Sequence, residues 1–159
     1  MSEKKEVPKL DRIDRAILNE LLKNGRISMI ELGKKVNLSK TPVTARIKRL
    51  EAEGVITGYR AELSASRLEL DHVVFLEVRL SDTREKALTE FNRAVREVPE
   101  VEECHMIAGG FDYLIKVRTR DIVAYRRVLG ETISRLPHVA STSTYVSMES
   151  VRDRGVGQF

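Results

Sequence analysis

Apolar residues recur every three to four positions in three short segments near the start of the chain, which predicts three amphipathic helices. Asp11 precedes the first segment as a helix cap, and Gly25 ends it. Ser28 begins the second segment, with Glu31 at capping-box spacing, and a tight turn at Asn37 leads to the third. The three apolar stripes are Leu10, Ile13, Ile17 and Leu21, then Ile30 (or Met29), Leu32 and Val36, then Val43, Ile47 and Leu50.

The third segment also has a face of small and positively charged residues. Ser39 is expected to cap this helix, and Pro42 lies in its first turn, where a missing N–H does least harm. At 100° per residue this face lies opposite the apolar stripe, with Arg46 on its flank. Small residues allow close approach to a surface and cations can meet phosphates, so the face suits a DNA groove. The candidate DNA-binding residues are Ser39, Lys40, Thr41, Thr44, Ala45, Arg46, Lys48 and Arg49.

Two short helices joined by a tight turn, the second of them basic, predict a helix-turn-helix that the first helix supports. Arg46 or Arg49 is expected to make a bidentate contact to guanine. Lys40 and Lys48 are expected to contact phosphates and so to position the helix. Residues 55–60 predict a short strand and turn, the beginnings of a wing.

From His72 onwards the chain repeats itself with an offset of 38 residues, so that Phe75 corresponds to Tyr113 and Pro99 to Pro137. Each repeat reads strand, helix, proline, strand. Two repeats make a βαββαβ arrangement, a ferredoxin-like α+β fold with both helices on one sheet face. The predicted strands are 73–80, 101–108, 111–118 and 139–148. Asp82 is expected to cap the first helix, whose apolar stripe is Leu88, Phe91, Val95 and Val98. Asp121 is expected to cap the second helix, whose apolar stripe is Ile122, Tyr125, Leu129, Ile133 and Leu136.

The first predicted strand is apolar on both of its faces. Val74, Leu76 and Val78 lie on one face, whereas Val73 and Phe75 lie on the other. A sheet with one solvated side usually alternates apolar and polar residues, so the second face needs a cover. The expected cover is the same sheet of a second copy in a two-fold dimer; packing of the two residues on the linker is the alternative.

Charge narrows the choice of partners. The chain has a formal net charge of +4, of which residues 1–60 contribute +6 and the remainder −2. A polyanion is therefore expected to bind the N-terminal part.

Cys104 is the only cysteine, which excludes an internal disulfide. The polar N-terminus and the lack of a long apolar run predict a cytoplasmic protein without a membrane partner.

A Gly-Gly turn in the second half is a candidate binding site. The N–H groups of Gly109 and Gly110 can hold a carboxylate, and Asp112 can pair with an ammonium group, which together suit an amino acid. The alternative is an ordinary hairpin turn that Asp112 caps. His105 is interpreted as a buried strand histidine and Cys104 as a small core residue, and no spacing favours a zinc site.

Three segments resemble the Lrp/AsnC family of bacterial and archaeal transcription regulators. They are LDRIDRAIL at residues 10–18, LEAEGVITGY at residues 50–59 and ECHMIAGGFDYL at residues 103–114. Similar positions also lie within 125–132 and at 144–146. Gly110 departs from the leucine-responsive members, which tend to have a polar or acidic residue there, so the identity of the effector stays open.

The resemblance implies a homodimer, commonly assembled as a tetramer of dimers, that binds repeated sites in double-stranded promoter DNA. It also implies a small amino acid as effector, and neither a further cofactor nor a metal is expected. The family's pocket lies between dimers, at the loop that joins the second and third strands. The implied effector-binding residues are Ile107, Ala108, Gly109, Gly110, Phe111, Asp112 and Tyr113, with Ile122, Tyr145, Val146 and Ser147.

The sequence therefore predicts a transcriptional regulator of amino-acid metabolism, not an enzyme, whose effector is leucine, another branched-chain residue or proline. The competing interpretation is a sirohaem-decarboxylase-like enzyme of similar architecture, which would not need the basic face of the third helix. A stand-alone interaction protein is a further alternative. The predicted organisation is a flexible arm (1–8), a helix-turn-helix domain (9–60), a linker (61–71), an effector-binding and oligomerisation domain (72–150) and a tail (151–159).

Overall fold

The computed structural model describes residues 7–153 and residue 156, so most of the predicted arm and part of the predicted tail lie outside the described residues. The chain divides into two compact units, Met1–Ala61 and Glu62–Phe159. The first contains α1 (Arg12–Lys23), α2 (Met29–Val36) and α3 (Lys40–Ala52). The second contains β1 (His72–Leu80), α4 (Glu85–Val95), β2 (Val101–Met106), β3 (Tyr113–Thr119), α5 (Ile122–Glu131) and β4 (Val139–Val146), with short 3-10 turns at Ser66–Leu68 and Ile133–Arg135.

The first unit is a three-helix bundle whose helix starts agree with the sequence prediction. Asp11 accepts the Asp14 N–H at 2.7 Å, and its own N–H donates to the Asp14 carboxylate, so both halves of a capping box are present. Ser28 accepts the Glu31 N–H, and Asn37 ends α2 in the left-handed conformation at φ 57°. The buried core comprises Ile17, Ile27, Leu32, Val36, Val43, Ile47 and Leu50, and Met29, rather than the exposed Ile30, packs against it.

Two local predictions for this unit are wrong. Residues 55–60 form no strand, so the structure shows no wing strand in this segment. The N–H groups of Val55 and Ile56 instead donate to the Leu50 carbonyl, which completes the end of α3. Ser39 does precede α3, but its side chain makes no capping hydrogen bond.

The second unit is a four-stranded antiparallel sheet with two helices on one face. The strand order is β2-β3-β1-β4, with antiparallel pairing throughout, as the two repeats predict for a ferredoxin-like βαββαβ fold. The face beneath α4 and α5 is apolar and fully buried. This core comprises Val74, Leu76, Val78, Phe91, Val95, Tyr113, Ile115, Val117, Tyr125, Val128 and Ile133.

Several element ends in this unit differ from the prediction. Asp82 does not cap α4, because its carboxylate accepts the Arg84 N–H at 2.9 Å in a turn before the helix, and Arg84 takes the cap position. Ile122 is not part of the core stripe: as the first residue of α5 it is about half exposed, and Val128 is buried in its place. The strands β2, β3 and β4 are each shorter than predicted, since the segments at their ends form loops.

The second face of the sheet is partly covered by the chain itself. Val73 is 2% exposed, so its burial needs no second copy, whereas Phe75 remains 37% exposed beside the exposed Tyr145 on β4. A buried ion cluster occupies another part of the sheet, where Arg118 and Lys116 of β3 bind Glu102 and Asp153. Asp153 comes from the segment after β4, so part of the predicted tail belongs to the folded unit.

Candidate nucleic-acid interface and effector site

The helix α3 has one buried side and one exposed side. Val43, Ile47 and Leu50 are buried in the three-helix core, as their spacing predicts. Because these residues fix the rotation of the helix, Thr41, Ala45, Lys48 and Arg49 lie on the opposite side. Ser39, Lys40, Thr41, Ala45, Lys48 and Arg49 are exposed, and Thr44 and Arg46 are half-buried.

The cations on this surface fall into two groups. Among the described residues, neither Lys40 nor Lys48 takes part in an ion pair. Arg46 and Arg49, in contrast, both bind Asp14 of α1: Nη1 of Arg46 lies 2.7 Å from Oδ1, and Nη2 of Arg49 lies 2.6 Å from Oδ2. Arg46 Nη1 also contacts Asp11 Oδ2 at 2.6 Å.

Asp14 is the residue of this surface that the sequence prediction missed. It is 1% exposed, and burial opposes its ionisation. The hydrogen bonds from Arg49 and Arg46 outweigh that burial and lower the pKa of Asp14 to about 2. Its carboxylate is therefore charged at neutral pH. The sequence signal was an acidic residue in the first turn of a helix, which a capping box already explains.

The candidate effector loop joins β2 to β3. The Ile107 N–H donates to the Asp112 carbonyl at 2.8 Å, which closes the loop, and Ala108, Gly109 and Gly110 between them are exposed. A Cβ at position 110 would meet no atom within 4 Å, so the space around this glycine is open.

Asp112 attaches this loop to the end of β1. Its N–H donates to the Val78 carbonyl at 3.0 Å, and its Oδ2 accepts the Leu80 N–H at 2.7 Å. One carboxylate oxygen therefore has a structural role, while the other, Oδ1, accepts no hydrogen bond within the part of the chain that the structure describes. Tyr113 is buried with its ring 4.5 Å from that of Phe91, so its side chain belongs to the core and not to the loop surface.

The register of the sheet separates the candidate effector residues into two groups. Val78 pairs with Tyr113 at the loop end of the sheet, whereas Val74 pairs with Val146 nearer the other end. Four strand residues span about 13 Å. Ile122 follows β3 at this second end, near Tyr145, Val146 and Ser147. One chain thus presents the two groups at opposite ends of its sheet.

Other chemistry-bearing residues have structural explanations. His105 is not buried, because β2 is an edge strand and its side chain lies on the open face, 3.4 Å from Glu103. Cys104 packs against the core, and burial raises the pKa of its thiol to about 11. Within residues 7–153 and residue 156, no group of three or more His, Cys, Asp or Glu side chains could hold a metal ion. None of the helices in the same residues combines the length and the apolar character that crossing a membrane requires.

Two family models together match most of the chain. One, described as winged helix-turn-helix DNA-binding, matches residues 10–57. The other, described as Lrp/AsnC ligand binding domain, matches residues 73–156 and so includes Asp153.

Individual relatives agree with these matches. The chain is 64% identical to a proline dehydrogenase transcriptional activator of Rhodobacter capsulatus, over 89% of this chain and 92% of that protein. It is 50% identical to the leucine-responsive regulatory protein of Escherichia coli, over 95% of this chain and 92% of that protein. Among solved structures, a transcriptional regulator of Neisseria meningitidis in complex with L-Met matches with a TM-score of 0.85 and 30% identity, over 91% of this chain and 94% of that one.

Proposed function

The chain belongs to the Lrp/AsnC family of DNA-binding transcriptional regulators, and we propose that α3 reads duplex DNA while the loop 107–112 senses a small amino acid. The observation that carries the DNA role is the rotation of α3, which buries its apolar stripe and exposes small residues between Lys40 and Lys48. The relatives are regulators and not enzymes, which favours this function over a decarboxylase.

Lys40→Ala combined with Lys48→Ala is expected to weaken DNA binding and to flatten its salt dependence. Each lost phosphate contact reduces the magnitude of the slope of log K against log salt concentration by about 0.9. The double variant should therefore reduce it by about 2 for each copy of the chain that binds the duplex. The measurement is fluorescence anisotropy at several salt concentrations, with a duplex selected by the wild-type protein from a random library. Lys23→Ala with Lys86→Ala removes the same charge elsewhere and should leave the slope unchanged. Equal slopes for both double variants would contradict the proposed surface.

We propose proline as the effector to test first, with leucine and other branched-chain residues as alternatives. The relative that is 64% identical is named for activation of proline dehydrogenase, which supports a proline-catabolic gene as the target. A glycine at position 110 leaves the loop surface open. The N–H groups of the exposed residues Ala108, Gly109 and Gly110 suit the carboxylate of the amino acid, and the second oxygen of Asp112 suits its ammonium group.

Asp112→Asn is expected to abolish the amino-acid response while DNA binding survives. Asparagine keeps an oxygen that can accept the Leu80 N–H, but it removes the charge that would pair with an ammonium group. In a thermal-shift titration, wild type should gain about 2.7 kcal/mol of stability at a ligand concentration 100-fold above Kd. The variant should gain far less. Glu85→Gln, on the exposed first turn of α4, makes the same charge change and should respond as wild type does. A full response by Asp112→Asn would rule out its contact with the ammonium group.

We propose that the effector pocket is completed only between copies of the chain. The loop and the group at Ile122 and 145–147 lie at opposite ends of one sheet, so a neighbouring copy must bring them together. The exposed Phe75 and Tyr145, which are paired on the face of the sheet away from α4 and α5, supply apolar area for a two-fold dimer, and dimers would then associate into a larger ring. Several linked reading helices would raise the avidity for repeated promoter sites.

Phe75→Asp combined with Tyr145→Asp is expected to dissociate the dimer, because it buries two carboxylates in the proposed apolar contact. Sedimentation velocity should show a shift from an oligomer to a species near 18.1 kDa. Leu22→Asp with Val123→Asp adds the same charge at exposed apolar positions on α1 and α5, outside the sheet, and it should keep the dimer. A dimer that persists at wild-type affinity in the Phe75 and Tyr145 variant would place the interface elsewhere.

A further inference from the structure

Beneath the proposed DNA-reading surface lies a carboxylate that organises two of its cations. Asp14 reaches α3 from α1, and each of its oxygens accepts a hydrogen bond from a different arginine, Arg46 or Arg49. Arg46 and Arg49 are three positions apart in the chain, so they are neighbours on the helix surface. A carboxylate this buried occurs almost only where it is paired.

The bonds to Asp14 leave both arginines able to bind a further group. Among the described residues, the guanidinium of Arg46 is hydrogen-bonded through Nη1 alone, and its side chain is 28% exposed. Arg49 uses Nη2 for Asp14, and its side chain is 41% exposed. The remaining N–H groups can therefore donate to a base edge while the guanidinium is already held in place, so less side-chain entropy is lost on binding.

The same contacts cancel the positive charge of the arginines. Asp11 and Asp14 oppose Arg46 and Arg49, and Glu53 lies 4.0 Å from Arg49. An arginine that is neutralised in this way attracts phosphates weakly, whatever the DNA sequence. Lys40 and Lys48 have no such partner among the described residues. Non-specific attraction should therefore come from the lysines and base discrimination from the arginines.

We propose that Asp14 is a positioning residue for DNA sequence discrimination. It holds Arg46 and Arg49 in a reading geometry and suppresses their contact with phosphates of unrelated DNA. This inference rests on the proposed function of α3 as the DNA-reading helix. The alternative is that the ion pairs only fasten α3 to α1, in which case their loss would weaken binding to every DNA sequence equally.

The test measures discrimination with the full chain. The two probes are a duplex selected by wild type from a random library and a shuffled duplex of the same length and composition. Asp14→Asn keeps an oxygen for the capping box but frees the arginines from their charged partner. It should bind the shuffled duplex more tightly and with a steeper salt dependence. The Kd for the shuffled duplex divided by the Kd for the selected duplex measures discrimination. This Kd ratio should fall about tenfold or more, which is the loss expected for one bidentate base contact.

Two further variants make the result specific to Asp14. Glu31→Gln makes the same charge change on α2, where its exposed carboxylate accepts no hydrogen bond among the described residues, and it should keep the wild-type ratio. Asp11→Asn removes the charge of the more exposed partner of Arg46 and should lower the ratio by a smaller factor. Because Asp11 is exposed, this variant carries the test if Asp14→Asn fails to fold.

The possible outcomes separate this proposal from the proposed function. If Asp14→Asn and Asp11→Asn keep the wild-type Kd ratio while the Lys40 and Lys48 variant binds more weakly, the role of Asp14 is overturned and the reading surface is not. Unchanged binding in all of these variants would overturn the reading surface and the role of Asp14 together.

Discussion

Gly33→Ala is expected to destabilise the helix-turn-helix by about 2 kcal/mol, within the range seen when a well-packed site is overfilled. Gly33 lies in α2, and its carbonyl accepts the Leu38 N–H at 2.9 Å, so the turn after the helix folds back onto it. A Cβ at this position would lie 2.5 Å from the Leu38 carbonyl oxygen. That neighbour is backbone, so relief requires the whole turn to move, and α3 begins two residues later.

Gly130→Ala is the matched control for this substitution. Gly130 lies near the end of α5, and a Cβ there would meet no atom within 4 Å. Alanine favours a helix over glycine by up to about 1 kcal/mol, so this variant should be unchanged or slightly more stable. Urea unfolding followed by circular dichroism measures both effects, and anisotropy measures the loss of DNA affinity that a displaced α3 would cause. Wild-type stability and affinity in Gly33→Ala would show that the turn relaxes without cost.

The helices and the sheet topology could be predicted because their signals are local or repeated. The apolar stripe of α3 follows from spacing within one helix, and the cap at Asp11 from two residues three positions apart. The sheet order follows from two copies of one strand-helix-strand pattern. These features depend on residues close in the chain, and the structure agrees with them.

The contacts of the reading surface depend on residues far apart in the chain, and the sequence did not predict them. Asp14 lies 32 residues before Arg46 and 35 before Arg49. Periodicity gives the direction in which an arginine points, but not which carboxylate it meets. The sequence therefore predicted both arginines as DNA-binding residues but not their shared ion-pair partner, Asp14.

Edge strands and chain ends caused the remaining errors. His105 has apolar neighbours in the sequence, which favours a buried position, but β2 is paired on one side only and His105 lies on its open face. Val55 and Ile56 have the composition of a strand, but their N–H groups are already used at the end of α3. In both cases the local composition favoured the predicted structure, but hydrogen-bond pairing with other parts of the fold determined the observed one.

Arg118→Met is expected to lower the free energy of unfolding by about 3 kcal/mol, as is usual when one partner of a buried ion pair is removed. Arg118 is buried on β3, with Nε 2.5 Å from Glu102 Oε1 and Nη1 2.9 Å from the Leu70 carbonyl, and its Nη2 binds Asp153. The substitution would leave Glu102 and Asp153 with Lys116 as their remaining cation in this cluster. It would also release the segment after β4, which Asp153 holds to the sheet.

The acid dependence of stability gives this prediction a second measurement. Burial raises the pKa values of Glu102 and Asp153, but hydrogen bonds from Arg118 and Lys116 outweigh it, so both pKa values lie below the ordinary 4.5 and 3.8. The stability that these carboxylates provide is present above their ordinary pKa values and is lost as the pH falls through the lowered ones. Wild type should therefore lose more stability than Arg118→Met on acidification below about pH 4.5.

A double-mutant cycle then separates the ion pair from the rest of the cluster. Glu102→Gln in the Arg118→Met background removes the charge that has lost its main partner, so it should cost far less than Glu102→Gln in wild type. Arg79→Met, at an exposed position of β1 with no ion pair among the described residues, should cost less than about 0.5 kcal/mol. Equal costs for Arg118→Met and Arg79→Met would mean that the cluster contributes nothing to stability. The position of Asp153 would then have to depend on packing of other buried residues, such as Val156.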